Sequence, residues 1–158
     1  MPAPTSGQHY DGEDMVEIPE MGKAQMAGQA EGPSAGHIRD VFERYVALFS
    51  AGDADAVAAL YAEDAVLRDP VTSPPVQGRA AIRAWYQAAF DAMAEGMRLE
   101  LEGSVRIAGP LGAAAMMVHA VNNGVPFRVE TLDVMRFNPD GLIAAMDAYF
   151  GESNYLSA

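Results

Sequence analysis

The stretch FRVETLDVMRF, residues 127–137, constrains the fold more than any other part of the chain. It is rich in β-branched and aromatic residues, contains no Gly or Pro, and is followed at once by the turn signal Asn138-Pro139-Asp140-Gly141. It reads as a strand. Alternation puts Phe127, Val129, Thr131, Asp133, Met135 and Phe137 on one face, and Arg128, Glu130, Leu132, Val134 and Arg136 on the other. The apolar face therefore carries a carboxylic acid. An unpaired carboxylate is costly to bury, which favours the protonated form. A neutral carboxyl donates a hydrogen bond into an apolar space, where it can stabilise a developing oxyanion. A structural Asp, capping a turn or pairing with an Arg, fits the same stretch.

The elements around this strand follow from periodicity and punctuation. Ser34 is suited to N-cap a helix over about 36–51, closed by Gly52, with Ile38, Phe42, Tyr45, Val46 and Phe49 on its buried face. Tyr45 lies mid-face, either as a core residue bonded to backbone or as a functional hydroxyl. Asp53 caps a second, short helix through Ala58 to Tyr61. Ala65 to Pro70 forms a short strand that puts Ala65, Leu67 and Asp69 on one face and ends at Asp69-Pro70. Asp69, at a strand end before the loop 71–77, is expected to see more water than Asp133. It suits a catalytic loop end or a plain turn former. A third helix runs from Gly78-Arg79 to about Glu95 with Ile82, Trp85, Tyr86, Ala89, Phe90 and Met93 at helical spacing. Strands follow over 99–108, 113–121, the Asp133 stretch and 142–150, with a hairpin signal at Asn122-Asn123-Gly124. Three helices before a run of antiparallel strands predict an α+β domain, with the helices on one face of a curved sheet.

Residues 1–35 differ from the domain at 36–158. They are rich in Gly, Pro, Ala and Met, lack a sustained period, and hold six acids against Lys23. They read as an acidic mobile tail in which Met15 to Ile18 alone suit a short strand or a docking segment. At 158 residues and half hydrophobic, the chain is long enough for one domain with a real core. A net charge of −12 argues against nucleic acid and anionic membranes as partners. No apolar run nears the roughly 20 residues of a membrane helix. No signal-peptide pattern opens the chain, and a cytoplasmic location is expected. The absence of Cys removes disulfides, thiol catalysis and cysteine-bound metal.

His9, His37 and His119 lack metal-ligand spacing, and no P-loop, G-x-G-x-x-G, G-x-S-x-G or H-E-x-x-H motif is present. What stands out is Asp69 and Asp133 on apolar faces together with Tyr45. One carboxylate base and two neutral donors suffice for proton transfer alpha to a carbonyl, with no metal or organic cofactor.

These residues also carry a resemblance. Arg44-Tyr45, Tyr61-Ala62-Glu63-Asp64-Ala65, Arg68-Asp69-Pro70, Pro74-Pro75, Gly78-Arg79, Ala84-Trp85-Tyr86, Asp133-Val134-Met135-Arg136-Phe137 and Met146-Asp147-Ala148-Tyr149-Phe150 resemble the Δ5-3-ketosteroid isomerases. That group lies within the NTF2-like or SnoaL-like fold, and the similarity runs from about 36 to 155. It implies a cone-shaped α+β fold and a cofactor-independent steroid Δ-isomerase that takes a Δ5-3-ketosteroid to the Δ4-3-ketosteroid through a dienolate. It implies Asp69 as the general base, and Tyr45 and Asp133 as oxyanion donors. Tyr61 and Tyr86 would support Tyr45 through hydrogen bonds. Met116, Val118, Phe137 and Phe150 are expected in the substrate pocket. A homodimer through the open sheet face, with Arg128, Glu130 and Arg136 in it, is also implied.

Val71, Met116 and Asn122 depart from one well-known branch, where aromatic residues stand, and this bears on substrate shape. Two other readings share the frame: a SnoaL-like polyketide cyclase using Asp69 as base, and a non-catalytic steroid- or lipid-binding module. A limonene-epoxide-hydrolase-like activity is disfavoured, because its Asp-Arg-Asp trio is not evident.

Overall fold

The computed structural model describes residues 16–158. Among these residues four α-helices, α1 (Glu20–Met26), α2 (Ala35–Ser50), α3 (Ala54–Ala58) and α4 (Arg79–Ala92), accompany seven strands. The strands are β1 (Tyr61–Arg68), β2 (Val76–Gln77), β3 (Met97–Ala108), β4 (Leu111–Asn122), β5 (Val125–Phe137), β6 (Ile143–Tyr149) and β7 (Tyr155–Ser157). They form one sheet in the order β2-β1-β6-β5-β4-β3, with β7 added to β5. Among the described residues only the β1–β6 pairing is parallel.

The helix boundaries have local causes. Ser34 Oγ accepts from His37 N–H at 3.1 Å and opens α2. At its other end the N–H groups of Gly52 and Asp53 donate to the carbonyls of Phe49 and Leu48, a Schellman arrangement. Asp53 Oδ1 then accepts from Ala56 N–H at 3.0 Å and caps α3. Tyr61, expected at the end of that helix, instead opens β1. The chain has already entered the sheet at Leu60, whose carbonyl accepts from Ile143 N–H at 2.9 Å. Helix α4 ends at Ala92, short of the expected Glu95, and the chain turns through Gly96 into β3.

Between β4 and β5 the loop is Asn123-Gly124, with φ of 51° and 76°. Positive φ at both central residues is the type I′ geometry that matches strand twist. Strand β3 bulges between Glu102 and Arg106, which bends the sheet. Helices α2 and α4 cover the concave side. Helix α2 packs on β3, and Ser50 Oγ bridges the backbone of Leu99, accepting from its N–H at 2.9 Å and donating to its carbonyl at 3.2 Å.

One end of the cone is sealed by close approach. A Cβ on Gly112 of β4 would meet Phe42 at 2.7 Å and Ile38 at 2.8 Å. Glycine there lets α2 lie directly on the sheet. The cross-strand partner of Gly112 is Met135, so Met135 and, beyond it, Phe137 lie at this closed end.

The segment before α2 is not without structure. It holds α1, which buries no residue, and Gly32 sits so close to the β3–β4 turn that a Cβ would lie 2.8 Å from Pro110. Met15 lies outside the described residues. Val16 to Ile18 make no strand and are exposed. No helix among the described residues is long and apolar enough to cross a membrane.

Candidate active site

A cavity of about 260 Å³ opens between the concave sheet face and helices α2 and α4. Tyr45, Asp69 and Asp133 all line it. Each arrives from a different element. Tyr45 projects from the middle of α2, Asp69 follows the last residue of β1, and Asp133 is the fourth of the six inward-facing residues of β5 from Phe127 to Phe137.

Asp133 is 4% exposed, and among the described residues it is the one charged side-chain type in the buried core. Its neighbour on the same face, Thr131, donates a long hydrogen bond of 3.4 Å from Oγ1. Burial and then the charge of Asp69 push the Asp133 carboxyl up to about 8, against a smaller downward pull from Thr131. It is thus mainly protonated at neutral pH and can donate. Asp69 is raised by burial to about 6, so it is mainly ionised at neutral pH and can accept a proton. Two carboxyls in one apolar cavity are in this way split into an acid and a base.

Asp69 is held by its flanks. Arg68 pairs with Asp147 through two bonds of 2.7 and 2.9 Å, and Val71 N–H donates to the Ala148 carbonyl at 2.7 Å. Both anchors tie the end of β1 to β6. The carboxyl itself is free to face the cavity.

The tyrosines form a line. Tyr86, from α4, lies 3.0 Å from the Tyr45 hydroxyl and 2.6 Å from that of Tyr61. All three are fully buried, and burial lifts each pKa well above its ordinary value. With Tyr61 donating to Tyr86 and Tyr86 donating to Tyr45, the Tyr45 proton is left to point into the cavity. Tyr61 reaches Tyr45 only through Tyr86. Its own backbone is fixed by Arg79, whose Nε donates to the Tyr61 carbonyl at 2.8 Å.

Of the four expected pocket residues, Val118 and Phe150 line the cavity and Met116 and Phe137 do not. Phe137 lies at the end closed by α2, edge-on to His37 at 6.5 Å. Met116 is 1% exposed and packs in the core on β4, beside the β3 strand that α2 covers. Residues that sequence reasoning did not assign to the site include Thr131, Ala148, Trp85, Met97, Phe127 and Tyr155. The alternation through Asp133 already pointed to Thr131 and Phe127. Nothing local in the sequence marks Tyr155, which reaches the site only through the pairing of β7 with β5.

The histidines are elsewhere. His37 Nε2 lies 2.7 Å from the Gly141 carbonyl, and His119 Nε2 lies 2.9 Å from Glu100. His9 is outside the described residues.

The chain is similar to known proteins in both sequence and shape. It is 35% identical over 113 residues to the steroid Delta-isomerase of Nocardioides simplex, a match that covers 72% of this chain and 89% of that protein. Its backbone superposes with a TM-score of 0.70 on the epoxide hydrolase/cyclase-like enzyme SalBIII of pyran ring formation in salinomycin. That match covers 78% of this chain and 98% of the other at 24% identity, and so speaks to the fold. The SnoaL-like domain model matches residues 42–146, from α2 to β6. By this match, and by the cone of helices on a curved sheet, the chain belongs to the SnoaL-like domain family within the NTF2-like fold.

Proposed function

We propose that the protein is a steroid Δ-isomerase that moves the double bond of a Δ5-3-ketosteroid into conjugation. The observation that carries this reading is the split of two carboxyls on one apolar cavity, Asp69 raised to about 6 and Asp133 to about 8, with the Tyr45 hydroxyl beside them. The Asp69 carboxylate takes the proton from the carbon between the ketone and the alkene. The electron pair moves into the carbonyl, and the resulting dienolate oxygen accepts hydrogen bonds from Tyr45 and protonated Asp133. Asp69 then returns the proton to the far carbon of the former alkene, and the ketone re-forms conjugated. The proton count closes within the substrate and one side chain, so the reaction calls for no metal or organic cofactor. The 35% identity to a steroid Delta-isomerase supports the same reading.

The test is the rise of conjugated-enone absorbance when the protein is mixed with a Δ5-3-ketosteroid. A flat trace with saturable ligand binding would favour a non-catalytic module instead. A SnoaL-like cyclase would use the same base for carbon–carbon closure, and the family match is what supports it. It predicts no enone signal from the steroid and turnover of a linear polyketide.

The open face of the sheet leaves Leu132 and Tyr149 about half exposed. A homodimer through this face is part of the proposal, and sedimentation at micromolar concentration tests it.

A further inference from the structure

The C-terminal strand does more than extend the sheet. Strand β6 leaves β5 after Tyr149 pairs with Leu132, and the chain turns out through Phe150 to Asn154 before β7 rejoins the same side of β5. The turn is pinned by Asn154, whose Oδ1 accepts from Gly151 N–H at 2.9 Å while its own N–H donates to the Gly151 carbonyl at 3.0 Å. On rejoining, Tyr155 pairs with Val129, an inward residue of β5. Directly paired residues share a face, so the Tyr155 ring stands over the cavity. It stacks on Phe127 with centroids 6.0 Å apart at 18°, and meets Phe150 at 6.4 Å and 61°. Yet Tyr155 remains 53% exposed. A large aromatic surface at the cavity mouth is thus only half covered by the protein's own rings.

Position along β5 says what would cover the rest. Val129, the partner of Tyr155, is four residues from Asp133, a distance of about 13 Å along an extended strand. A ligand whose ketone sits at Asp133 and Tyr45 reaches Tyr155 only with its far end, and only if it is a long rigid fused-ring skeleton. A one-ring ketone stays below. We propose that Tyr155 is a specificity-determining residue that reads ligand length, its ring packing on the terminal ring of a polycyclic ketone. The choice of a ketone rests on the isomerase reading; the length selection rests on the placement of Tyr155.

The chain's single tryptophan, Trp85, lines the same cavity and reports occupancy by its fluorescence. The protein and its Tyr155→Ala and Tyr155→Phe variants would be titrated with a tetracyclic steroid enone and with 2-cyclohexenone. An exposed residue on a three-residue edge strand can be truncated without loss of the fold. The expected result is a roughly 10-fold weaker Kd for the steroid in Tyr155→Ala, the order for losing one aromatic contact. Tyr155→Phe keeps the ring and should bind the steroid as the parent does, and 2-cyclohexenone should not distinguish the three proteins. An unchanged steroid Kd in Tyr155→Ala, an equal loss for both ketones, a Phe variant as weak as Ala, or no steroid binding by the parent protein would each overturn the proposal. Length-selective binding without enone formation would leave Tyr155 in this role and remove the isomerase reading instead.

Discussion

Asp69 and Asp133 face one cavity from strands separated by β6, and Ala148 is the residue between them. Ala148 pairs directly with Asp133, and its carbonyl takes the N–H of Val71, two residues beyond Asp69. The smallest chiral side chain thus stands where two carboxyls approach. The like charge across this gap is one of the causes that raise Asp133.

Replacing each acid by its amide separates the two roles. Asp69→Asn removes the proton acceptor, and kcat for enone formation should fall by about 10²–10⁴-fold, the range of a general base. Asp133→Asn keeps a donor at the same place, so its loss should be clearly smaller, and Asp133→Leu should be worse than Asn. Steady-state rates with a Δ5-3-ketosteroid check the order. Equal losses at Asp69→Asn and Asp133→Asn would remove the assignment of base and donor.

The pH dependence follows from the same pair. Activity should rise as Asp69 ionises near 6 and decline as Asp133 ionises near 8, giving a bell in kcat/KM. Stability moves differently. The folded pKa of Asp133 lies above the unfolded value, so the native state holds more protons between the two. Its contribution is fully present below the unfolded carboxyl pKa of about 4 and is lost as pH rises to about 8. Asp133→Asn does not ionise, so urea midpoints across that range should fall less with pH than in the parent protein. A parallel pair of curves would mean that Asp133 is ionised and paired when folded.

The tyrosine line predicts a gradient. Tyr45→Phe removes the hydroxyl that faces the cavity and should lower kcat by roughly 10²–10³-fold, the usual cost of one oxyanion donor, with little change in KM. Tyr86→Phe breaks the 3.0 Å contact with Tyr45 and should cost less. Tyr61→Phe is one bond further away, through Tyr86, and should cost least. A Tyr61 effect as large as that of Tyr45 would show that the hydroxyls do not act in series.

How far the sequence discloses this site depends on whether the signal is local. Alternation around Asp133 and helical spacing around Tyr45 are local, so the inward faces of β5 and α2 can be read directly. Caps are local too, as at Ser34 and Asp53. Depth within the cone is not. Phe137 shares a face with Asp133, but Gly112 lets α2 close that end, and only the β4–β5 register puts Gly112 beside Met135. Met116 likewise has the right parity for the pocket, yet it is packed in the core and does not line the cavity. Tyr155 depends on a three-residue strand whose sequence carries no strand signature of its own.

The Ala148 position gives the sharpest steric test. Its side chain is 2% exposed and borders the cavity between the acids. Ala148→Leu would fill the space in which a ketone must touch Asp133 while its neighbouring carbon touches Asp69. Overpacking a tight site typically costs about 1–3 kcal/mol, so the variant should still fold if the parent has ordinary stability. The loss in kcat/KM for the steroid should then exceed about 10²-fold, beyond what loss of a binding contact alone produces, because reacting groups are pushed out of contact distance. Raising the ketone concentration should not restore turnover, since the bound geometry itself is wrong. Thermal unfolding checks the fold, and Trp85 fluorescence checks whether ligand still enters. A folded Ala148→Leu protein with parental turnover would show that the two acids do not act across Ala148 on one substrate.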